Sequence, residues 1–252
     1  MNKVDIQTAK KNISIKTPTC WDELTQQQFL EVVQNLESIA DGTIPDALML
    51  VLTGIDKAIY VRLSPVQRHA LKKTFAFLHE KPELKKLLVQ SFEVDGIRYV
   101  GYQPGFSNTT WEEFLFCDQY FMENKFLEGI AVLYREEKPN HDGQSDIRIP
   151  FSTYGMPKRI AAFQNLDKTL IAAIVLNYHA LRERNITEQY PAIFSYTAAA
   201  EETSENNFSW LEVHRNIISE HFYQESMFFR SKVHAVLHRM NTLIEENRKR
   251  KK

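Results

Sequence analysis

Apolar residues recur at threes and fours through most of this chain, and several of the recurrences open behind a residue able to cap a helix. A Ser or Thr followed three places later by Glu or Gln can satisfy two orphan backbone donors reciprocally. That pattern stands at Thr25–Gln28, Ser64–Gln67 and Thr110–Glu113, with Pro65 at the first helical position after Ser64. The stripes behind them are Phe29, Val32, Val33 and Leu36, then Ala70, Leu71, Phe75 and Leu78, then Phe114, Leu115, Cys117, Asp118 and Phe121. Shorter helices are predicted over Pro45–Leu52, stopped by Gly54, and over Glu83–Val89 behind Pro82. Two more are predicted over Thr153–Leu166 and Lys168–Glu188, the second apolar on most sides near Leu170–Tyr178 and therefore central. From Phe208 to Lys252 there is neither Gly nor Pro, and Leu211, Ile218, Phe222, Phe229, Val233, Val236, Met240 and Leu243 form a seam. That seam predicts one long amphipathic helix or two in tandem. If continuous from Ser209 to Arg248 it would reach roughly 60 Å, too long for a core of this size, so part of it must meet a partner or fold back.

One segment carries the period of a strand. Phe92-Glu93-Val94, Asp95-Gly96 and Ile97-Arg98-Tyr99-Val100 predict a β-hairpin over about 92–100, with Asp-Gly supplying the positive φ angles of a tight turn. A lone hairpin is marginal in water, so it must pack on helices or pair with another strand, for which a neighbouring subunit or Ile13–Ile15 are the candidates. The expected architecture is mainly α: a multi-helix bundle with this small hairpin and a long C-terminal amphipathic helix. Its parts are a helical region with the hairpin at 1–136, a polar loop at 137–150 and a second helical region at 151–252, or one continuous domain over 17–252. The stretch Arg135–Pro150, rich in Glu, Lys, Asn, Asp and Gly, is long enough to suggest a functional loop. Ala198–Asn207 reads as a linker.

Composition narrows the classes. With 43% hydrophobic and 25% charged residues the chain can build a core, and 16 Phe supply large apolar surface for it or for an interface. Lys plus Arg (31) against Asp plus Glu (32) leaves a net charge of −1, which counts against a dedicated nucleic-acid binder. Two cysteines, Cys20 and Cys117, are too few for a disulfide framework, and neither has a second metal ligand nearby. The longest apolar run, Leu170–Leu176, is far short of the ~20 residues of a membrane span, and the polar N-terminus lacks the core of a signal peptide. A cytosolic protein, off the membrane, is expected.

Candidate chemistry is sparse. His234 and His238 share a helix face, but Ala235 stands where a zinc protease needs Glu. His214, His221 and Glu225 share another face, which reads as a polar surface stripe rather than a metal set. Asp118, between Cys117 and Tyr120 in an aromatic-rich helix, needs a buried partner, for which Arg135 or Arg148 is expected. Asp142 and Asp146 flank Gly143 without the alternation of a Ca²⁺ loop. Phosphate-binding loops and the nucleophile elbow are missing, so no cofactor, metal or catalytic residue is assigned. The terminal Arg248–Lys252 run complements a helix C-terminus, or contacts nucleic acid.

Several segments resemble a loosely defined family of Bacteroidetes phage and prophage proteins encoded among tail and virion genes. They are Trp111-Glu112-Glu113-Phe114 leading into Asp118-Gln119-Tyr120-Phe121, then Leu133-Tyr134-Arg135, Asp146-Ile147-Arg148-Ile149-Pro150-Phe151, the apolar helix around Leu170–Leu176, and Trp210. The resemblance covers roughly residues 110–245. It implies a structural or assembly role in a phage particle, as a connector-ring or tail subunit or a tail-assembly chaperone. Other virion or tail proteins and copies of the same chain are the expected partners, in the host cytoplasm during assembly or in the virion. Asp118, Arg135, Asp146, Arg148, Phe151 and Trp210 are the residues expected to matter, as loop anchors or contact surface. Two other classes stay open: an all-α enzyme with a dispersed site near Asp118 and the 135–150 loop, and a nucleic-acid-associated protein using the basic tail.

Overall fold

A computed structural model describes residues 1–7, 12–141, 145–194, 210, 214 and 225–250. The polar N-terminus contains two strands, β1 (Asn2–Gln7) and β2 (Asn12–Thr17), paired antiparallel with Val4 opposite Ile15 and Lys3 opposite Lys16. Alternation puts the apolar pairs on one side of this ribbon, where Val4 and Ile15 pack on the core. Ile13–Ile15 therefore belongs to this pairing and is not the third strand of the Asp-Gly hairpin.

The first capping box closes as expected and opens α1 (Gln26–Gln34), which buries Phe29, Val32 and Val33. Then come α2 (Leu36–Ala40), α3 (Asp46–Thr53), ended by Gly54 at φ 65°, and α4 (Lys57–Tyr60). The second box opens α5 (Pro65–Lys73). Leu71 points inward and Ala70 is exposed; α5 ends at Lys73, Phe75 follows it, and Leu78 sits in a separate 3-10 turn.

Residues 83–89 are not the helix their spacing predicts. Leu84, Leu87, Leu88 and Val89 are buried, but the backbone donors that a helix would use are taken by side chains. Asp22 Oδ1 accepts from the amides of Lys85 and Lys86, and Asn177 Oδ1 accepts from those of Leu88 and Val89. The predicted hairpin does form, as β3 (Ser91–Val94) and β4 (Ile97–Val100), turning through Asp95 at φ 50° and Gly96 at φ 74°. Its third strand comes from the chain itself, Arg135–Glu136, with Val100 opposite Arg135.

The third box opens α6 (Trp111–Met122), followed after Asn124 (φ 57°) by α7 (Phe126–Leu133). Every residue from Gly129 to Leu133 is buried, which makes α7 the more deeply buried of the two. Strand β5 (Arg135–Glu136) leaves it directly. The expected Thr153–Leu166 helix is a 3-10 turn over Thr153–Gly155 and then α8 (Met156–Phe163). α9 (Lys168–Arg182) continues into a π turn, Glu183–Thr187. The C-terminal seam is broken into α10 (Glu225–Arg230) and α11 (Val233–Arg250), the latter about 27 Å long at 18 residues. The break has a cause: Ser231 O accepts from Trp111 N, and Val233 N donates to Thr109 O, so the chain pairs with the start of α6. Leu211, Ile218, Phe222 and the 198–207 linker lie outside the described residues.

The fold is mainly α, with one core network running from Trp21 to Met240. No described helix is long and apolar enough to cross a membrane. At the tightest helix contact, a Cβ on Gly129 would stand 2.7 Å from the Phe121 ring. That ring is itself held by Tyr178, centroids 4.6 Å apart, so it has little room to yield. Gly129→Ala is therefore expected to lose more by overpacking, about 1–3 kcal/mol, than it gains in helix propensity, about 1 kcal/mol. Urea unfolding checks this; a midpoint equal to or above wild type would refute the close approach.

Candidate functional site

The buried end of α7 generates the site. The last carbonyls of a helix have no intrahelical donors, and here they face the interior rather than water. Arginines supply the donors: Arg148 Nη1 bonds Leu133 O at 2.9 Å, and Arg159 Nε bonds Ala131 O at 2.8 Å. Cations at this end also complement the helix dipole. Arg148 and Arg159 are 1% and 3% exposed, so each needs an anion nearby.

Those anions come from α6, the polar loop and β5. Asp146 takes Arg148 in a two-pronged pair, Nε to Oδ1 and Nη2 to Oδ2, both 2.9 Å. Arg135, also buried, pairs with Glu113 Oε1 and reaches Asp146 Oδ2 at 3.3 Å. Glu113 Oε2 meanwhile accepts from Thr110 N, so the capping-box residue of α6 doubles as a counter-ion. Glu136 stands 3.7 Å from Arg159. Burial, with Arg148 alongside, brings the Arg135 guanidinium down to about 10, and burial lowers Arg159 as well. For Asp146 burial works the other way, but the Arg148 hydrogen bonds and charge prevail and hold its carboxyl below the usual range. The loop is thus folded inward: Lys138 N donates to Ile147 O and Ile149 N to Glu136 O, extending the hairpin sheet.

Asp118 belongs to a different cluster, which corrects its expected pairing with Arg135 or Arg148. Its Oδ1 accepts from Tyr178 Oη and Arg182 Nε, both at 2.6 Å, and its Oδ2 accepts from Arg182 Nη2 at 2.9 Å and from Trp210 Nε1. Burial opposes the Arg182 charge, yet Asp118 raises that guanidinium above its ordinary value. Burial and Asp118 push the Cys117 thiol and the Tyr178 hydroxyl up, leaving both protonated near neutrality. α6 joins the clusters, carrying Glu113 on one and Asp118 on the other, with Trp111 and Trp210 edge to face at 5.8 Å.

Of the residues singled out in the sequence, Arg135, Asp146, Arg148 and Phe151 come together, whereas Asp118 and Trp210 form the second cluster. Phe151 sits against Phe116, centroids 6.1 Å apart. Together with the start of α6 and the α10–α11 turn, the first group walls a cleft of about 500 Å³. Sequence reading missed Glu113, Arg159, Tyr178 and Arg182. The last two were detectable as a hydroxyl and a cation four apart on an apolar helix; Arg159 offered no comparable signal.

The histidines also move. His214, expected on a surface stripe, is buried, accepts from Trp111 Nε1 at 3.1 Å, and burial lowers its pKa. His234 bonds Tyr190 Oη through Nδ1 and Gly105 O through Nε2, while His238 is exposed. His221 lies outside the described residues. Among the described residues no group of His, Cys, Asp and Glu is arranged to hold a metal ion. No family model matches the chain, nor does any curated protein or solved structure.

Arg148→Lys should behave as a loss, not a conservative change, because one ammonium cannot reproduce the fork that Leu133 and Asp146 use. About 3–5 kcal/mol of stability should disappear, as for breaking a buried pair; a denaturant midpoint near wild type would show that the fork is dispensable. Asp146 gives a pH signature. A carboxyl depressed in the folded state stabilises above its unfolded pKa, about 3.9, and that contribution fades as pH falls through the folded value. Asp146→Asn should therefore be less stable than wild type at pH 7, with the gap shrinking from pH 4 to pH 2. A gap that stays constant or widens would contradict the depressed carboxyl.

Proposed function

We propose that the chain is a non-enzymatic structural or assembly protein of a phage, working through contacts with other virion or tail proteins and with copies of itself. The observation that carries this reading is how the charged residues are used. Asp118, Arg135, Asp146 and Arg148 are engaged inside the protein, holding helix ends and the loop, and all four lone-pair directions of Asp118 are met by donors. A carboxylate so engaged is a poor general base. The surface above them is an open cleft, and the segments that line it also expose Ile149, Tyr154 and Met227, the last two at 96% and 63%. Large apolar side chains exposed beside a cleft favour a contact surface. The phage setting is supported by the resemblance over residues 110–245. The described part of the basic tail, Arg248–Arg250, ends α11, where cations complement the helix dipole.

The test is mass in solution, by size exclusion with light scattering, over a wide concentration range and with co-expressed neighbouring gene products. A discrete oligomer or a stable heterocomplex is expected. A monomer at every concentration that forms no complex would sink the assembly reading.

A further inference from the structure

The cleft between α6, the 135–151 loop and the α10–α11 turn has a charge balance that its internal pairs do not close. Within it, Glu113 and Asp146 are matched by Arg135 and Arg148. What remains along the walls is Lys138, Arg230 and Lys232 against Glu112 alone. Lys138 Nζ bonds a carbonyl, Asp146 O, and has no carboxylate partner among the described residues, and Arg230 and Lys232 are exposed. A cleft whose walls carry surplus cations favours an anion.

The remaining walls say what kind of anion. Phe151 and Phe229 flank the basic groups and are partly buried. Each ring already packs on a neighbour, Phe151 on Phe116 and Phe229 on His214 at 4.5 Å, so neither stands free as a stacking platform for a nucleobase. Three carboxylates in the lining would also repel a continuous phosphodiester track. A short peptide meets both demands, with carboxylates for the cations and an apolar side chain for the phenylalanine walls. The volume of about 500 Å³ lies within the range of sites that enclose small ligands.

We infer that this cleft docks an acidic peptide segment of a partner protein, its carboxylates facing Lys138, Arg230 and Lys232 and an apolar side chain lying between Phe151 and Phe229. The inference rests on the protein–protein reading above and names the chemistry of the partner. Arg230 and Lys232 confer the charge preference, and the buried Arg135–Glu113–Asp146–Arg148 group keeps the floor in shape.

The probe is a fluorescein-labelled hexapeptide of alternating Asp and Glu around a central Phe, followed by fluorescence anisotropy with the full chain. Its controls are the Asn/Gln version of the same peptide, inorganic phosphate and an oligothymidylate. Saturable binding with a Kd on the order of 100 µM is expected. The neutral peptide should bind at least about tenfold more weakly. The double charge reversal Arg230→Glu with Lys232→Glu should abolish binding at an unchanged melting temperature, since both side chains are exposed. Equal binding of the neutral peptide, unchanged binding by the double variant, or no binding at millimolar peptide would each overturn the proposal. Displacement of the peptide by oligothymidylate at lower concentration would overturn it in favour of nucleic acid, and displacement by phosphate would reduce the cleft to a simple anion site. Light scattering separates the two readings: a chain that assembles without binding the peptide loses only this cleft assignment, and a chain that binds it but stays monomeric and forms no complex with co-expressed neighbours loses only the assembly reading.

Discussion

The interior end of α7 is the constraint from which much of the surrounding structure follows. An apolar helix can be buried along its whole length, but its final carbonyls must still find donors, and water does not reach them here. Arg148 and Arg159 meet Leu133 O and Ala131 O, and once two guanidiniums are buried their counter-ions must be buried too. Glu113 arrives from α6, Glu136 from β5 and Asp146 from the polar loop. The loop thus folds back over the helix end because charge neutralisation requires it, and in doing so adds a strand-like edge beside β5. One unmet backbone requirement links a helix, a sheet and a loop.

The second cluster solves a related problem at the other side of α6. Asp118 gathers Tyr178 and Arg182 from α9 and Trp210 from further along the chain, so segments distant in the sequence converge on one carboxylate. Buried ion pairs add little net stability compared with apolar packing of the same volume. Their effect is on uniqueness, since an alternative packing that misplaces one partner strands a charge. With Glu113 and Asp118 both on α6, the positions of the loop and of α9 are specified by one helix rather than by general hydrophobic attraction.

Local signals were legible in the sequence and long-range polar ones were not. The three capping boxes and the Asp-Gly turn succeed because every partner lies within a few residues. The helix predicted at 83–89 fails because its apolar spacing is real but Asp22 and Asn177, far away in sequence, take the amides it would have used. The described part of the C-terminal seam takes the tandem form of the expectation, two helices instead of one, because Ser231 and Val233 are drawn into pairing with Trp111 and Thr109. At the site, Asp118 was recognisable as buried, but its partner was not, since sequence proximity to a polar loop favoured Arg135 and Arg148 over Arg182. Arg135, Asp146, Arg148 and Phe151 were picked out together and do meet, whereas Glu113 looked like a cap and nothing more.

Interior and rim use charge in opposite ways, and that contrast bears on function. Inside, nearly every ionised group is answered by a partner of opposite sign within 4 Å, an arrangement that fixes geometry and leaves little freedom for proton transfer. At the rim of the same cleft, Lys138, Arg230 and Lys232 have no such partners among the described residues, on segments whose backbone is pinned by the interior pairs and by the Thr110–Lys232 bridge. A rigid floor beneath unsatisfied cations lowers the entropy lost when something docks, because the receptor is already ordered. Here Cys117, Tyr178 and Arg135 are buried, while Arg230 and Lys232 face solvent on segments held by that interior frame.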